Sequence, residues 1–119
     1  MSIVTAIKDR IQGKVPLFSK RSSHWETVRR HWLKYNSECA ACGSKEKLQV
    51  HHIKPFHLNP SLELDFTNFI TLCEKKGGLQ CHLNIGHCGN FKKENPNVIA
   101  DAAFNRKITG LSKLISVLP

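Results

Sequence analysis

Cys39 and Cys42, three positions apart and followed by Gly43, constrain this chain more than any other feature, because two thiolates on a tight turn can reach one metal ion. Zinc takes four such ligands and favours sulfur, and Cys73 and Cys81 supply a second pair further along. That pair is wider than usual, with seven residues between its members, and Cys88 is the alternative fourth ligand. Five cysteines cannot all pair within one chain, and a reducing cytosol disfavours disulfides in any case, so thiolate ligation is the first reading. A chain of 119 residues has room for one domain with a modest core, which a metal cross-link would reinforce.

Histidines are set among these cysteines. His51 and His52 are adjacent in the strand-like run Leu48-Gln49-Val50-His51-His52-Ile53, and a second such run follows at Phe69-Ile70-Thr71-Leu72-Cys73. Adjacent strand residues point to opposite faces, so one histidine can bind a metal while the other acts on a water. His82 and His87 offer further imidazoles, whereas His24, His31 and His57 read as ordinary structural residues. The connection between the two runs holds Pro55, Pro60 and Asn68 and is longer than a hairpin needs, which is usual for functional loops.

Charge divides the chain differently. The net charge is +9, and residues 1–36 contribute eight basic and two acidic side chains, a net of +6. Residues 37–96 are close to neutral yet contain all the cysteines and five of the seven histidines. Such a basic front suggests a polyanion partner. The reading is of a basic helical extension over 1–36, a chemical core over 37–96 and a helical segment over 97–119 that packs on the core. In the front, Ile3, Val4, Ile7 and Ile11 suggest a short helix ending near Gly13. A capping box at Ser23 and Glu26 opens a second helix, with Trp25, Val28, Trp32 and Tyr35 on one face and Arg29, Arg30 and Lys34 off it. Leu79 to Ile85 reads as one or two helical turns stopped by Gly86, and Pro96 starts a last helix that runs to Gly110. Beyond it, Leu111, Leu114, Ile115, Val117 and Leu118 are available to pack on the domain or on a second copy. No run approaches the roughly 20 apolar residues of a bilayer span, and the first twenty residues lack the core of a secretory signal, so a soluble intracellular protein is expected.

The succession Cys39-x-x-Cys42, His51-His52-Ile53-x-Pro55, Asn68-Phe69-Ile70-x-Leu72-Cys73 and Cys81-His82 resembles the HNH nucleases, the ββα-metal or His-Me finger family. Arg21-Ser22-Ser23-x-Trp25-x-x-Val28-Arg29 and Gly86-His87-x-Gly89-Asn90-Phe91-Lys92 are similar to its bacterial and bacteriophage branch. Two departures are plain: the last cysteine pair is stretched by Glu74–Gln80, and His51 stands where many members have Asp. The histidine pair is similar to that of colicin-type DNases, whose late histidines are four apart. His82 and His87 are five apart, about 140° on an ideal helix, so a break at Gly86 is needed for both to reach one ion.

The resemblance implies an α+β fold, a small ββα-metal domain with flanking helices and a structural zinc on Cys39, Cys42, Cys73 and Cys81. It implies His52 as general base and Asn68 as the residue that holds the His52 loop or approaches the metal. His51, His82 and His87 would hold one catalytic divalent cation, with Mg2+ bound poorly by imidazole and Mn2+, Ni2+ or Zn2+ better. Arg21, Arg29, Arg30, Lys54, Lys92 and Lys93 are the candidate phosphate contacts. The implied activity is metal-dependent hydrolysis of duplex DNA with low sequence specificity, in the cytoplasm of a bacterial host and with no membrane partner. Phage packaging proteins are candidate partners, and a homodimer would be needed to cut both strands together. The alternative is a non-catalytic zinc module that binds nucleic acid or docks on a protein.

Overall fold

The computed structural model describes residues 21–75 and 79–116. The expected helix at Ile3–Ile11, the Gly77-Gly78 pair and Val117-Leu118 lie outside the described residues. Helix α1 (Trp25–Tyr35) is followed by strand β1 (Leu48–His52), two short 3-10 turns (Pro60–Leu62 and Phe66–Asn68), strand β2 (Phe69–Cys73), a π-helical turn (His82–Gly86) and helix α2 (Val98–Ser116). The strands form an antiparallel pair, with Leu48 opposite Cys73 and His52 opposite Phe69. This is a small α+β fold centred on one hairpin. No helix among the described residues is long and apolar enough to cross a membrane.

Alternation along the hairpin divides the core in two. On one face Val50 and Phe69 pack with Val28 of α1, Leu64, Trp25, Trp32 and Leu33. On the other, Ile70 and Leu72 join Cys39, Ala41, Cys73, Cys81, Val98 and Ala102. All five residues of β2 are buried, because both faces are covered. Trp32 crosses to the sheet, donating its indole N–H to Thr71 Oγ1 at 2.9 Å, while the Thr71 hydroxyl donates to Asn36 O at 2.9 Å.

Several local expectations are corrected. Helix α1 has His24, not Ser23, at its N-cap, and the cap position is served by Ser22, whose Oγ accepts the His24 backbone N–H at 3.1 Å. Glu26 therefore does not close a capping box; it turns to Arg29 and Arg30 one turn on. Tyr35 shares the apolar stripe in sequence but is 69% exposed. Helix α2 begins at Val98 rather than at Pro96 and passes through Gly110, since one glycine costs only about 1 kcal/mol and the apolar spacing continues through Leu111 and Leu114.

Candidate functional site

The chain from Cys39 turns at Gly43, whose φ of +78° is open to glycine, and closes with Gly43 N donating to Cys39 O and Cys39 N donating to Ser44 O, each at 2.8 Å. A side chain at Gly43 would also collide with the Arg106 guanidinium. Ala40 N donates to Thr71 O at 2.8 Å and Asn105 donates its amide to Ala41 O at 2.6 Å, which ties the turn to β2 and to α2. In consequence the sulfurs of Cys39, Cys42, Cys73 and Cys81 all lie within 4.8 Å of one another, and Cys88 is exposed and apart from them. Cys39 is held down to about 4 by a hydrogen bond from the Cys81 thiol, which is pushed up in turn; burial raises Cys42. A quartet that already favours a thiolate is a donor set suited to zinc.

A second cluster stands beside it. The sheet turns His51 and His52 to opposite sides, as the pleat requires. His51 meets His82 and His87, with ring centroids 5.1 and 4.7 Å away, and one ligand atom from each of the three lies within 4.8 Å of the others. The π-helical turn explains how histidines five apart converge, because its i to i+5 repeat puts them on one side where an α-helix would not. Gly86 lets this turn approach β1: a Cβ there would sit 3.2 Å from the His51 ring and 3.1 Å from Leu72 Cδ1. The helix is thus widened, and it ends at Gly86 as the sequence suggests.

Hydrogen bonds assign the free nitrogens. His87 Nδ1 is 2.9 Å from Lys93 O, and a carbonyl only accepts, so His87 Nδ1 carries the proton and Nε2 the lone pair. His82 Nδ1 is 2.8 Å from Glu74 Oε1, which fixes the same tautomer, and the two Nε2 atoms are 3.3 Å apart. His51 Nε2 is, among the described residues, the one buried side-chain nitrogen or oxygen without a hydrogen-bond partner. Burial drives His51 down to about 3, with His82 and His87 adding to it, and burial also lowers His82 against the pull of Glu74. Three imidazoles gathered with ligand atoms within 4.8 Å, one of them carrying a buried nitrogen without a partner, fit a divalent cation.

His52 lies on the α1 side, its ring 4.6 Å from that of Trp25. His52 Nε2 donates to Glu63 O at 2.8 Å, which leaves the lone pair on Nδ1. Burial holds His52 down to about 4, opposed by that bond and assisted by Arg21, so the ring is neutral and able to accept a proton. Asn68 is buried and its amide is spent on the loop: Nδ2 donates to Lys54 O at 3.0 Å and Leu62 O at 3.3 Å, and Oδ1 accepts from Lys54 N at 2.8 Å. Asn68 therefore grips the chain on either side of the bend that follows His52.

His51, His52, His82 and His87 all line one cleft of about 340 Å3, with Arg21, Phe56, Phe91 and Glu94 at its walls. Arg21 is set there by Glu63, whose Oε2 accepts from it at 3.2 Å and whose Oε1 accepts from Ser22 N at 3.0 Å. Its guanidinium also lies 4.6 Å from the Phe56 ring. Glu63 has no exposed surface, yet nothing in the sequence singles it out, since it lies in the irregular loop eleven residues after His52. Glu74 carries a weak signal, a carboxylate directly after a cysteine of the cluster. The other basic candidates are dispersed. Arg29 and Arg30 converge on Glu26, Lys54 is exposed at the loop, and Lys92 and Lys93 are exposed beyond Phe91.

Residues 39–88 match the family model of the HNH endonucleases, and so span both clusters. Neither a curated protein nor a solved structure matches the chain.

Proposed function

From an HNH endonuclease domain over residues 39–88, we propose that this protein is a metal-dependent DNA endonuclease that hydrolyses phosphodiester bonds in duplex DNA. The observation that carries the reading is the division of labour between two adjacent strand residues in one cleft. His51 joins His82 and His87 as a ligand set, while His52 keeps an unprotonated Nδ1 with its other nitrogen tied to Glu63 O. Such an imidazole is a general base for an attacking water, and the carbonyl behind it stabilises the proton it takes up. Arg21, fixed by the buried Glu63 carboxylate, offers a charge-assisted hydrogen bond to a phosphate entering the cleft. A divalent cation on His51, His82 and His87 would supply Lewis-acid stabilisation of the negative charge that grows on the phosphate and its leaving oxygen. Zinc on the four cysteines would be structural, since four thiolates complete its ligand set and three of them are buried.

DNA would be held by sequence-independent contacts to phosphate, from Arg21 and Lys54 near the cleft and from Arg29, Arg30, Lys92 and Lys93 around it. Low sequence specificity goes with contacts of this kind, which position the duplex through its phosphates without reading base edges.

The test is incubation of supercoiled plasmid with the protein and Mg2+, Mn2+ or Ni2+, beside the His52→Ala variant. Conversion to open-circular or linear DNA by the wild type, with little by the variant, is expected. Nicking no greater than the variant's with every metal would overturn the nuclease reading and favour a non-catalytic zinc module.

A further inference from the structure

The two metal clusters are stitched together by sequence. Glu74 directly follows Cys73 and His82 directly follows Cys81, so each end of the carboxylate–imidazole contact is one residue from a sulfur of the cysteine cluster. Both cysteines are buried, and Glu74 is further held by its backbone N–H, which donates to Lys47 O at 2.8 Å just beyond the strand pair. The three histidines are not supported alike. His87 leans on a main-chain carbonyl, whereas His82 is bonded to an ionisable side chain. A carboxylate on the far nitrogen of a ligating imidazole fixes its tautomer and strengthens the donor nitrogen, more than a neutral carbonyl does.

We infer that Glu74 is the positioning residue that sets the affinity of the histidine cluster for its divalent cation, held at bonding distance from His82 by the cysteine cluster on either side. The inference rests on the cation site proposed above and adds a residue outside the cleft lining.

The experiment is titration of Mn2+ into the zinc-loaded full chain by calorimetry, for wild type, Glu74→Ala and Glu74→Gln, with zinc content measured in each. Glu74→Ala is expected to raise the Kd for Mn2+ by about 10- to 100-fold, and Glu74→Gln, which keeps an acceptor without the charge, by less. In the Mn2+-free protein, 15N spectra of the histidine rings should show His82 protonated on Nδ1 in wild type and Glu74→Gln, and a tautomer mixture in Glu74→Ala. An unchanged Kd in Glu74→Ala with zinc retained overturns the inference. If that variant loses zinc, an unchanged Kd in Glu74→Gln overturns it instead. A wild type that binds Mn2+ but does not nick plasmid sinks the nuclease reading and leaves the role of Glu74 to be judged on the Kd values. A wild type that binds no Mn2+ overturns both.

Discussion

The cysteine and histidine clusters differ in how far their surroundings enclose them. Each gathers its donor atoms within 4.8 Å of one another. Cys39, Cys73 and Cys81 are at most 1% exposed and lie in the apolar layer with Ala41, Leu72, Val98 and Ala102. His82 and His87 are only half-buried and border a cleft. Four soft ligands leave no coordination position for a substrate, so zinc bound there would join the Cys39 turn, the hairpin and α2 where the core is too small to do so unaided. An open set of three imidazoles beside a neutral His52 leaves room for a phosphate. The two clusters thus share the Ile70 and Leu72 side of the hairpin, and what differs is the donor, sulfur against imidazole, and the enclosure.

The largest expected effect lies on the closed side. Cys39→Ser, or stripping zinc with a strong chelator, should abolish the cooperative thermal transition and the near-ultraviolet circular dichroism of Trp25 and Trp32, since binding to such sites is worth about 10–16 kcal/mol in small zinc modules. A folded, metal-free protein with an unchanged Tm would break the contrast between the clusters. On the open side, His52→Ala should slow plasmid nicking by about 10²- to 10⁴-fold while zinc content and Mn2+ binding stay as in wild type. Loss of zinc in that variant would show that the two sides are not separable.

Gly86→Ala probes the seam between them. Its Cβ would press on the His51 ring and on Leu72, so a loss of about 1–3 kcal/mol in urea unfolding is expected, together with weaker Mn2+ binding. Equal stability to wild type would mean that the π-helical turn can shift away from β1 without cost. The smallest effect should come from Arg30→Ala, because that guanidinium is well exposed and already paired with Glu26. Binding to duplex DNA should weaken only slightly, with a log–log salt slope lower by no more than about 1. Arg21→Ala, at the cleft wall, should weaken binding more than Arg30→Ala does; the reverse order would move the DNA contact from the cleft to the outer face of α1.

The hairpin was legible because strand periodicity is local: alternation in Leu48–His52 and a continuous apolar run in Phe69–Cys73 need no knowledge of what covers them. The Cys39–Cys42 turn was legible for the same reason, since its spacing and Gly43 suffice. Convergence of His82 with His87 was not, because an ideal helix separates them and only the widened turn, packed through Gly86 against β1, aligns them. The helix start differs for a similar reason: Ser23 and Glu26 have the spacing of a capping box, but Ser22 is tied to the Glu63 carboxylate and to His24 N, and Glu26 turns to Arg29 and Arg30.

What the sequence determines by itself, then, is an inventory with local geometry: four thiols able to meet, two histidines back to back on a strand, an asparagine in the loop beyond, and a surplus of positive charge. The tertiary structure decides which nitrogen of each ring is free, that Cys81 rather than Cys88 joins the sulfurs, and that Glu63 and Glu74 stand behind Arg21, His52 and His82. These are contacts between residues on different elements, set by how the hairpin, the loop and the π-helical turn pack. No periodicity of 2 or 3.6 residues encodes them, because periodicity specifies which face a side chain takes and not what that face meets.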